Sequence, residues 1–249
     1  MKIINKKISK KKSSAEWLRR QLSDPYVERA RHDGFRARAA YKLQDIDEKF
    51  RIFKNGQIVV DLGAAPGSWS QYVRKNFPKS RVIAMDLLPM RKIEGVDFYQ
   101  GDFTTDEAVE WLIAAATRPS PHFTGPCPRS CCRLLRPSGR AGNIPRGDDK
   151  GVPRDDKFID VVLSDMAPNT TGHQGTDHLR QTALLEYALD FARQNLKPGG
   201  SFVAKSFTGG ASPAILAKIK RHFGVVRHVK PPASRKDSVE MFIVAMDFK

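Results

Sequence analysis

From Gln57 onward, apolar runs of strand length alternate with helical segments, a pattern that few architectures accommodate. The runs "QIVVDLG", "RVIAMDLL", "VDFYQGDF", "FIDVVLSDMA", "SFVAKSF", "VVRHVKP" and "VEMFIVAMDF" read as strands. "WSQYVRKNF", "DEAVEWLIAAA", "DHLRQTALLEYALDFARQNL" and "SPAILAKIKRHF" read as helices, the third ended by Lys197-Pro198-Gly199-Gly200. Apolar strands joined by helices form a mostly parallel sheet with helices on both faces. The expected fold is α/β, with the last two strands forming a hairpin that makes one edge of the sheet antiparallel.

The rest of the chain departs from this rhythm in two places. Met1–Lys12 is a lysine-rich tail expected to be disordered. It has no apolar core of a secretory signal, and it is Lys-rich where a mitochondrial transit peptide would more typically be Arg-rich and amphipathic. Ser13-Ser14-Ala15-Glu16 reads as a capping box opening a helix through "EWLRRQL". "DPYVERARHDGFRARAAYKLQDIDEKF" continues in basic helical character, and Arg29, Arg31, Arg36, Arg38 and Lys42 suggest a face that tracks phosphates. The second departure is Thr117–Lys157, rich in Pro, Gly, Arg and Ser and without periodicity. It reads as a largely disordered insertion, or as foreign sequence carried into the chain, within a single domain spanning residues 13–249. Its His122, Cys127, Cys131 and Cys132 match no standard zinc spacing, so no metal is expected.

Charge and cysteine content narrow the function classes. The formal net charge is +16, which points to a polyanionic partner, RNA or DNA first. No stretch approaches the ~20 apolar residues of a membrane span. The three cysteines crowd into Cys127–Cys132 and make no disulfide framework, so a cytoplasmic setting with no membrane partner is expected.

The first strand ends in Asp61, followed by the turn Gly63-Ala64-Ala65-Pro66-Gly67 and a helix. Open α/β sheets bind ligands at the carboxyl ends of their strands. The turn lacks the middle glycine of a dinucleotide fingerprint, and Pro66 brings no N–H, so it is a poor cradle for a pyrophosphate. It suits a ligand whose near part carries no phosphate, such as S-adenosylmethionine with its sulfonium and amino-acid tail. Asp86 ends the second strand, placed to take ribose hydroxyls. Asp102 ends the third, where a carboxylate accepts from an adenine amino group.

Two further strand ends carry reactive groups. Asp165 closes "VVLSDMAPN", and Lys205 closes "FVAKSF" among Phe202, Val203 and Phe207. A lysine there is a candidate general base if burial and a neighbouring cation, such as Lys42, lower its pKa. Asp165 would orient it. Glu240, opening the last strand, is the remaining acidic candidate.

"AEWL", "RARAAYKL", "VVDLGAAPGSWSQYV", "DLLPM", "GVDFYQGDF", "VLSDMAPNTTG", "PGGSFVAKSF" and "SRKDSVEMFIVA" together resemble the FtsJ family of ribosomal RNA large-subunit methyltransferases, which methylate a uridine ribose 2′-hydroxyl. The resemblance runs from about Ala15 to Ala245, outside Thr117–Lys157. It implies a Rossmann-like S-adenosylmethionine-dependent methyltransferase fold and a catalytic set Lys42, Asp165, Lys205 and Glu240, with Lys205 as proton acceptor. It further implies cofactor contacts at Gly67, Trp69, Asp86, Asp102 and Asp165, to which the turn reading adds Gly63 and Asp61. The partner it implies is ribosomal RNA or the large ribosomal subunit, met by a monomer. Bacterial members usually carry Gly-Gly-Trp where this chain has Gly67-Ser68-Trp69, so Ser68 is expected to reduce the room beside the cofactor. The insertion has no family counterpart and is expected at the sheet edge away from the cofactor. The alternatives are a 2′-O-methyltransferase acting on transfer RNA or a messenger cap, and a non-catalytic RNA-binding assembly factor.

Overall fold

The computed structural model describes residues 23–118, 157–169, 171–207, 212–235 and 237–249. The lysine tail, the helix expected from Ser13 and the candidate zinc residues lie outside them.

Seven strands form one sheet: β1 (Ile58–Leu62), β2 (Arg81–Asp86), β3 (Val96–Gln100), β4 (Ile159–Ser164), β5 (Leu196–Phe207), β6 (Phe223–Val229) and β7 (Glu240–Phe248). Their spatial order is β3-β2-β1-β4-β5-β7-β6. The first five run parallel, and β7 is antiparallel to both β5 and β6. The antiparallel edge is as expected, with one addition. The strand running against the others is β7, which inserts between β5 and β6 and so puts Glu240 next to β5.

Helices cover both faces, as the doubly apolar strands require. Val59, Val82, Val161, Val203 and Phe242 point to the face covered by α2 (Ala39–Phe50) and α3 (Ser68–Asn76). Their neighbours Val60, Ile83, Val162, Phe202 and Ile243 point to the opposite face. That face is covered by α4 (Asp106–Thr117), α5 (Gln174–Asn195) and α6 (Pro213–His222). The period of two along each strand therefore assigns Asp61, Asp165, Lys205 and Glu240 to the α2/α3 side.

The stretch of basic helical character from Asp24 to Phe50 forms two helices. α1 (Pro25–His32) is capped by Asp24, whose side chain accepts from the Tyr26 amide. It ends in a Schellman turn: Phe35 N–H donates to the Ala30 carbonyl at 2.7 Å, and Gly34 N–H donates to that of Arg31 at 3.3 Å. Gly34 adopts the left-handed conformation, φ +73°, that this turn needs.

The described flanks of the 117–157 segment lie at the amino ends of the strands, where α4 finishes and β4 begins. β4 is the fourth strand of the order, in mid-sheet. The segment therefore departs from the end of the sheet opposite the candidate site, not from its far edge.

Candidate active site

Strand order reverses between β1 and β4, since β2 and β3 build outward on one side and β5 on the other. Such a switch point opens a crevice at the carboxyl ends of the strands. The crevice is a cleft of about 790 Å³. Gly63 and Ala65 enter it from the turn after β1, Asp86 to Leu88 from β2, Gly101 to Thr104 from β3, and Asp165 to Asn169 from β4. Arg180, Ala183 and Leu184 of α5 close one side.

The turn after β1 uses its own amides. Gly63 and Ala64 N–H both donate to the Met85 carbonyl, at 2.9 and 3.0 Å, and Gly67 N–H donates to that of Ala64 at 2.6 Å. Ala65 N–H donates to Asp86 Oδ2 at 2.9 Å. Pro66 has no N–H to offer. The turn therefore has no free amide for a phosphate. Gly63 is required here twice over, because φ is +75° and a Cβ would sit 2.8 Å from the Met166 backbone.

The lining is acidic. Asp86, Asp102 and Asp165 face the cleft against one base, Arg180. A pyrophosphate would be repelled, whereas hydroxyls, an amino group or a cation would be held. Asp86 accepts from Ala65 N–H and, through Oδ1, from Leu88 N–H at 2.8 Å. Asp102 Oδ1 accepts from the Thr104 amide at 2.9 Å and hydroxyl at 2.8 Å. These bonds hold the Asp102 carboxyl below its usual range. Phe103, Leu87 and Leu88 beside it offer apolar surface to a flat ring.

Asp61, Gly67 and Trp69 lie outside this cleft. Asp61 is fully buried; Ser70 Oγ donates to its Oδ2 at 2.6 Å, and its Oδ1 has no partner. Burial pushes its pKa up to about 7; the Ser70 hydrogen bond opposes the rise and the Asp165 and Asp86 charges add to it. Trp69 is a core residue, its indole N–H donating to the Ala39 carbonyl at 2.9 Å and its ring tilted against Phe242. The close approach at Gly67 is made by the chain itself. A Cβ there would meet Met90 Sδ at 2.6 Å and Ile93 Cδ1 at 2.7 Å.

At the edge of the cleft four charges alternate. Ser164 pairs with Ala204, so Asp165 and Lys205 are the next residues on adjacent strands. Lys205 pairs with Phe242 and Phe207 with Glu240, so Lys205 and Glu240 are diagonal neighbours on one face. Lys205 Nζ lies 2.6 Å from Asp165 Oδ1, 3.5 Å from Glu240 Oε1 and 3.0 Å from the Asp165 carbonyl. From α2, Lys42 Nζ donates to both Glu240 oxygens at 2.6 Å. The side chains of Lys205 and Glu240 are 12% and 13% exposed, so the four groups neutralise one another in a partly desolvated place.

This arrangement corrects the expected direction of the Lys205 pKa. Burial would lower it, but Asp165 and Glu240 outweigh burial and hold the ammonium above its ordinary value. Lys42 pairs with Glu240 instead of repelling Lys205. Burial would likewise raise the Glu240 pKa, but Lys42 and Lys205 hold it below its ordinary value.

The basic face expected near the N-terminus is largely spent on structure. Arg36 Nη1 donates to the Pro66 and Arg91 carbonyls at 2.9 and 2.6 Å, and its Nη2 to that of Lys92 at 2.8 Å. Arg38 binds Asp24 and the Ala233 carbonyl. Arg29 lies over the Tyr41 ring, 3.6 Å from Asp33. Of the five, Arg29 and Arg31 are exposed. One supporting residue escaped the sequence reading. Gln181 of α5 is buried, and its Nε2 donates to the Met166 and Lys205 carbonyls at 3.2 and 3.0 Å, tying the ends of β4 and β5 together. Its signal was position, since Gln181 falls on the helical stripe continued by Leu185, Ala188 and Ala192.

Comparison with known proteins agrees with this geometry. The family model for FtsJ-like methyltransferases matches residues 35–248. The ribosomal RNA large subunit methyltransferase E of Novosphingobium aromaticivorans is 46% identical over 237 residues, covering 95% of this chain and 89% of that protein. That of Sphingopyxis alaskensis is 48% identical over 237 residues, covering 95% and 86%. A crystal structure described as that of a ribosomal RNA methyltransferase from Plasmodium falciparum superposes with a TM-score of 0.62 at 26% identity, covering 86% of this chain and 98% of that one. With the match spanning the sheet, the cleft and the four alternating charges, the chain belongs to the FtsJ-like methyltransferase family.

Proposed function

We propose that this protein methylates a ribose 2′-hydroxyl of a uridine in large-subunit ribosomal RNA, using S-adenosylmethionine. The observation that carries the reading is the Lys42–Glu240–Lys205–Asp165 chain of alternating charges at the edge of an acidic, phosphate-averse cleft. Bound S-adenosylmethionine supplies an electrophilic methyl group. Asp86 takes the ribose hydroxyls, Asp102 accepts from the adenine amino group, and Leu87, Leu88 and Phe103 cover the ring.

Lys205 accepts the proton of the attacking 2′-hydroxyl. Asp165 and Glu240 fix its ammonium end from two sides, and Lys42 keeps Glu240 ionised. Because those carboxylates favour the ammonium, only the fraction of Lys205 that has lost its proton accepts another. Turnover therefore rises with pH through the neutral range. Holding the hydroxyl in line supplies much of the acceleration.

Two tests follow. Asp102→Ala is expected to weaken S-adenosylhomocysteine binding about tenfold, the loss of one hydrogen bond to a charged group. Titration calorimetry reads this, and an unchanged affinity would remove Asp102 from the adenine site. For the substrate, methyl-labelled S-adenosylmethionine is offered with total RNA from cells lacking the enzyme. Label in large-subunit RNA supports the reading; label confined to transfer RNA or capped message overturns it.

A further inference from the structure

Gln181 stands on the buried stripe of α5 that continues through Leu185, Ala188 and Ala192, and it is 3% exposed. Its Oε1 has no hydrogen-bond partner. A buried amide oxygen left in that state is costly, and an unbranched apolar side chain of similar volume would fill the position without the cost. What the amide contributes instead is two bonds from Nε2, to the Met166 and Lys205 carbonyls at 3.2 and 3.0 Å. Carbonyls only accept, so the nitrogen is the amide atom that faces them.

Both carbonyls lie beyond the last rung of the ladder between β4 and β5, which pairs Ser164 with Ala204. Asp165, Met166 and Lys205 all follow that rung, so β4–β5 pairing does not fix their separation. Two side chains span the gap. On the α2/α3 side, Lys205 Nζ donates to the Asp165 carbonyl at 3.0 Å and lies 2.6 Å from Asp165 Oδ1. On the α5 side, Gln181 joins Met166 to Lys205. The first link depends on protonation, since a lysine that has lost its proton no longer carries the charge that Asp165 and Glu240 attract. The second link is neutral and holds in either state.

We propose that Gln181 is a positioning residue for methyl transfer: it ties the end of β5 to the end of β4, so that Lys205 keeps its place beside Asp165 while it is unprotonated and able to accept the proton of the ribose hydroxyl. The inference rests on the proton-acceptor reading of Lys205 above. Gln181 is not among the residues that line the cleft, and it acts through Lys205.

The test is a double-mutant cycle on single-turnover methyl transfer, with Gln181→Met, Lys205→Ala and the two together. Methionine keeps the length and helix propensity of the side chain and donates to neither carbonyl; Gln181→Leu serves as a second variant. With Lys205 present, either substitution is expected to slow transfer about 10–100-fold, the range for a small misplacement of a reacting group. In the Lys205→Ala background the same substitution is expected to cost less than about twofold, because the group it positions is gone. Affinity for S-adenosylhomocysteine, read by titration calorimetry, is expected to stay within about twofold, which also shows that the variants fold. Equal fold-losses in the two backgrounds would overturn the inference and mark a general structural role. So would wild-type transfer by the Gln181 variants. A loss of affinity as large as the loss of transfer would also overturn it, placing the effect in the fold or at Met166 in the cleft. Lys205→Ala that transfers methyl as wild type does would overturn the proton-acceptor reading itself, and this inference with it.

Discussion

Replacing Lys205 with alanine will lower the turnover of methyl transfer by about 10²–10⁴-fold, the range for losing a positioned proton acceptor. Affinity for S-adenosylhomocysteine should stay within about twofold, because a group acting only in the transition state contributes little to ground-state binding. Lys205→Arg separates the two roles a lysine can play here. Arginine keeps the positive charge between Asp165 and Glu240, which lie 2.6 and 3.5 Å from the Lys205 nitrogen. It does not give up its proton. A turnover as low as that of the alanine variant identifies proton acceptance, whereas near-wild-type turnover would reassign Lys205 to holding charge. The pH profile is a second readout. Asp165 and Glu240 raise the Lys205 pKa, so the logarithm of wild-type turnover should climb with pH across neutrality. A profile flat from acid to alkaline pH would contradict the base role.

Asp61→Asn will make the ligand-free protein more stable at neutral and alkaline pH while weakening cofactor binding. The Asp61 carboxyl has a folded pKa of about 7 against 3.8 when solvated. Between those values the folded chain holds a proton that the unfolded chain has lost, so stability falls as pH rises. The loss is complete above about pH 7. At about 1.4 kcal/mol per pH unit it amounts to about 4 kcal/mol. Asparagine carries no charge to bury and still accepts from Ser70 Oγ. Denaturant melts at pH 4 and pH 8 are expected to show little gain at the lower pH and most of the 4 kcal/mol at the higher. Equal gains at both would mean that ionisation is not the cause. A carboxylate kept at this cost fits a site that a cation occupies in the working protein.

Much of this site could be read from single strands. Asp61, Asp86, Asp102, Asp165 and Lys205 are each a polar residue at or near the end of an apolar strand, and a parallel sheet brings all such ends to one side. The turn also declared its chemistry, since Pro66 and the missing glycine already argued against phosphate, and its internal amide bonds agree. What could not be read depends on pairing between distant segments. The insertion of β7 between β5 and β6 sets Glu240 diagonal to Lys205, and that second carboxylate reverses the expected direction of the lysine pKa. Arg36 and Arg38 looked like a phosphate-binding face because their partners, the carbonyls of Pro66, Arg91, Lys92 and Ala233, carry no sequence signature. The break at Gly34 was visible only as a glycine within a basic run, and the Schellman bonds that make it a helix end arise from the folded backbone.

The most direct test of the central claim is the chemical position of the transferred methyl. Large-subunit RNA labelled from S-adenosylmethionine is hydrolysed in alkali, which needs a free 2′-hydroxyl to cleave each phosphodiester. Methylation on the ribose 2′-oxygen predicts label in an alkali-stable dinucleotide. Label released in mononucleotides would place the methyl on a base and contradict the account.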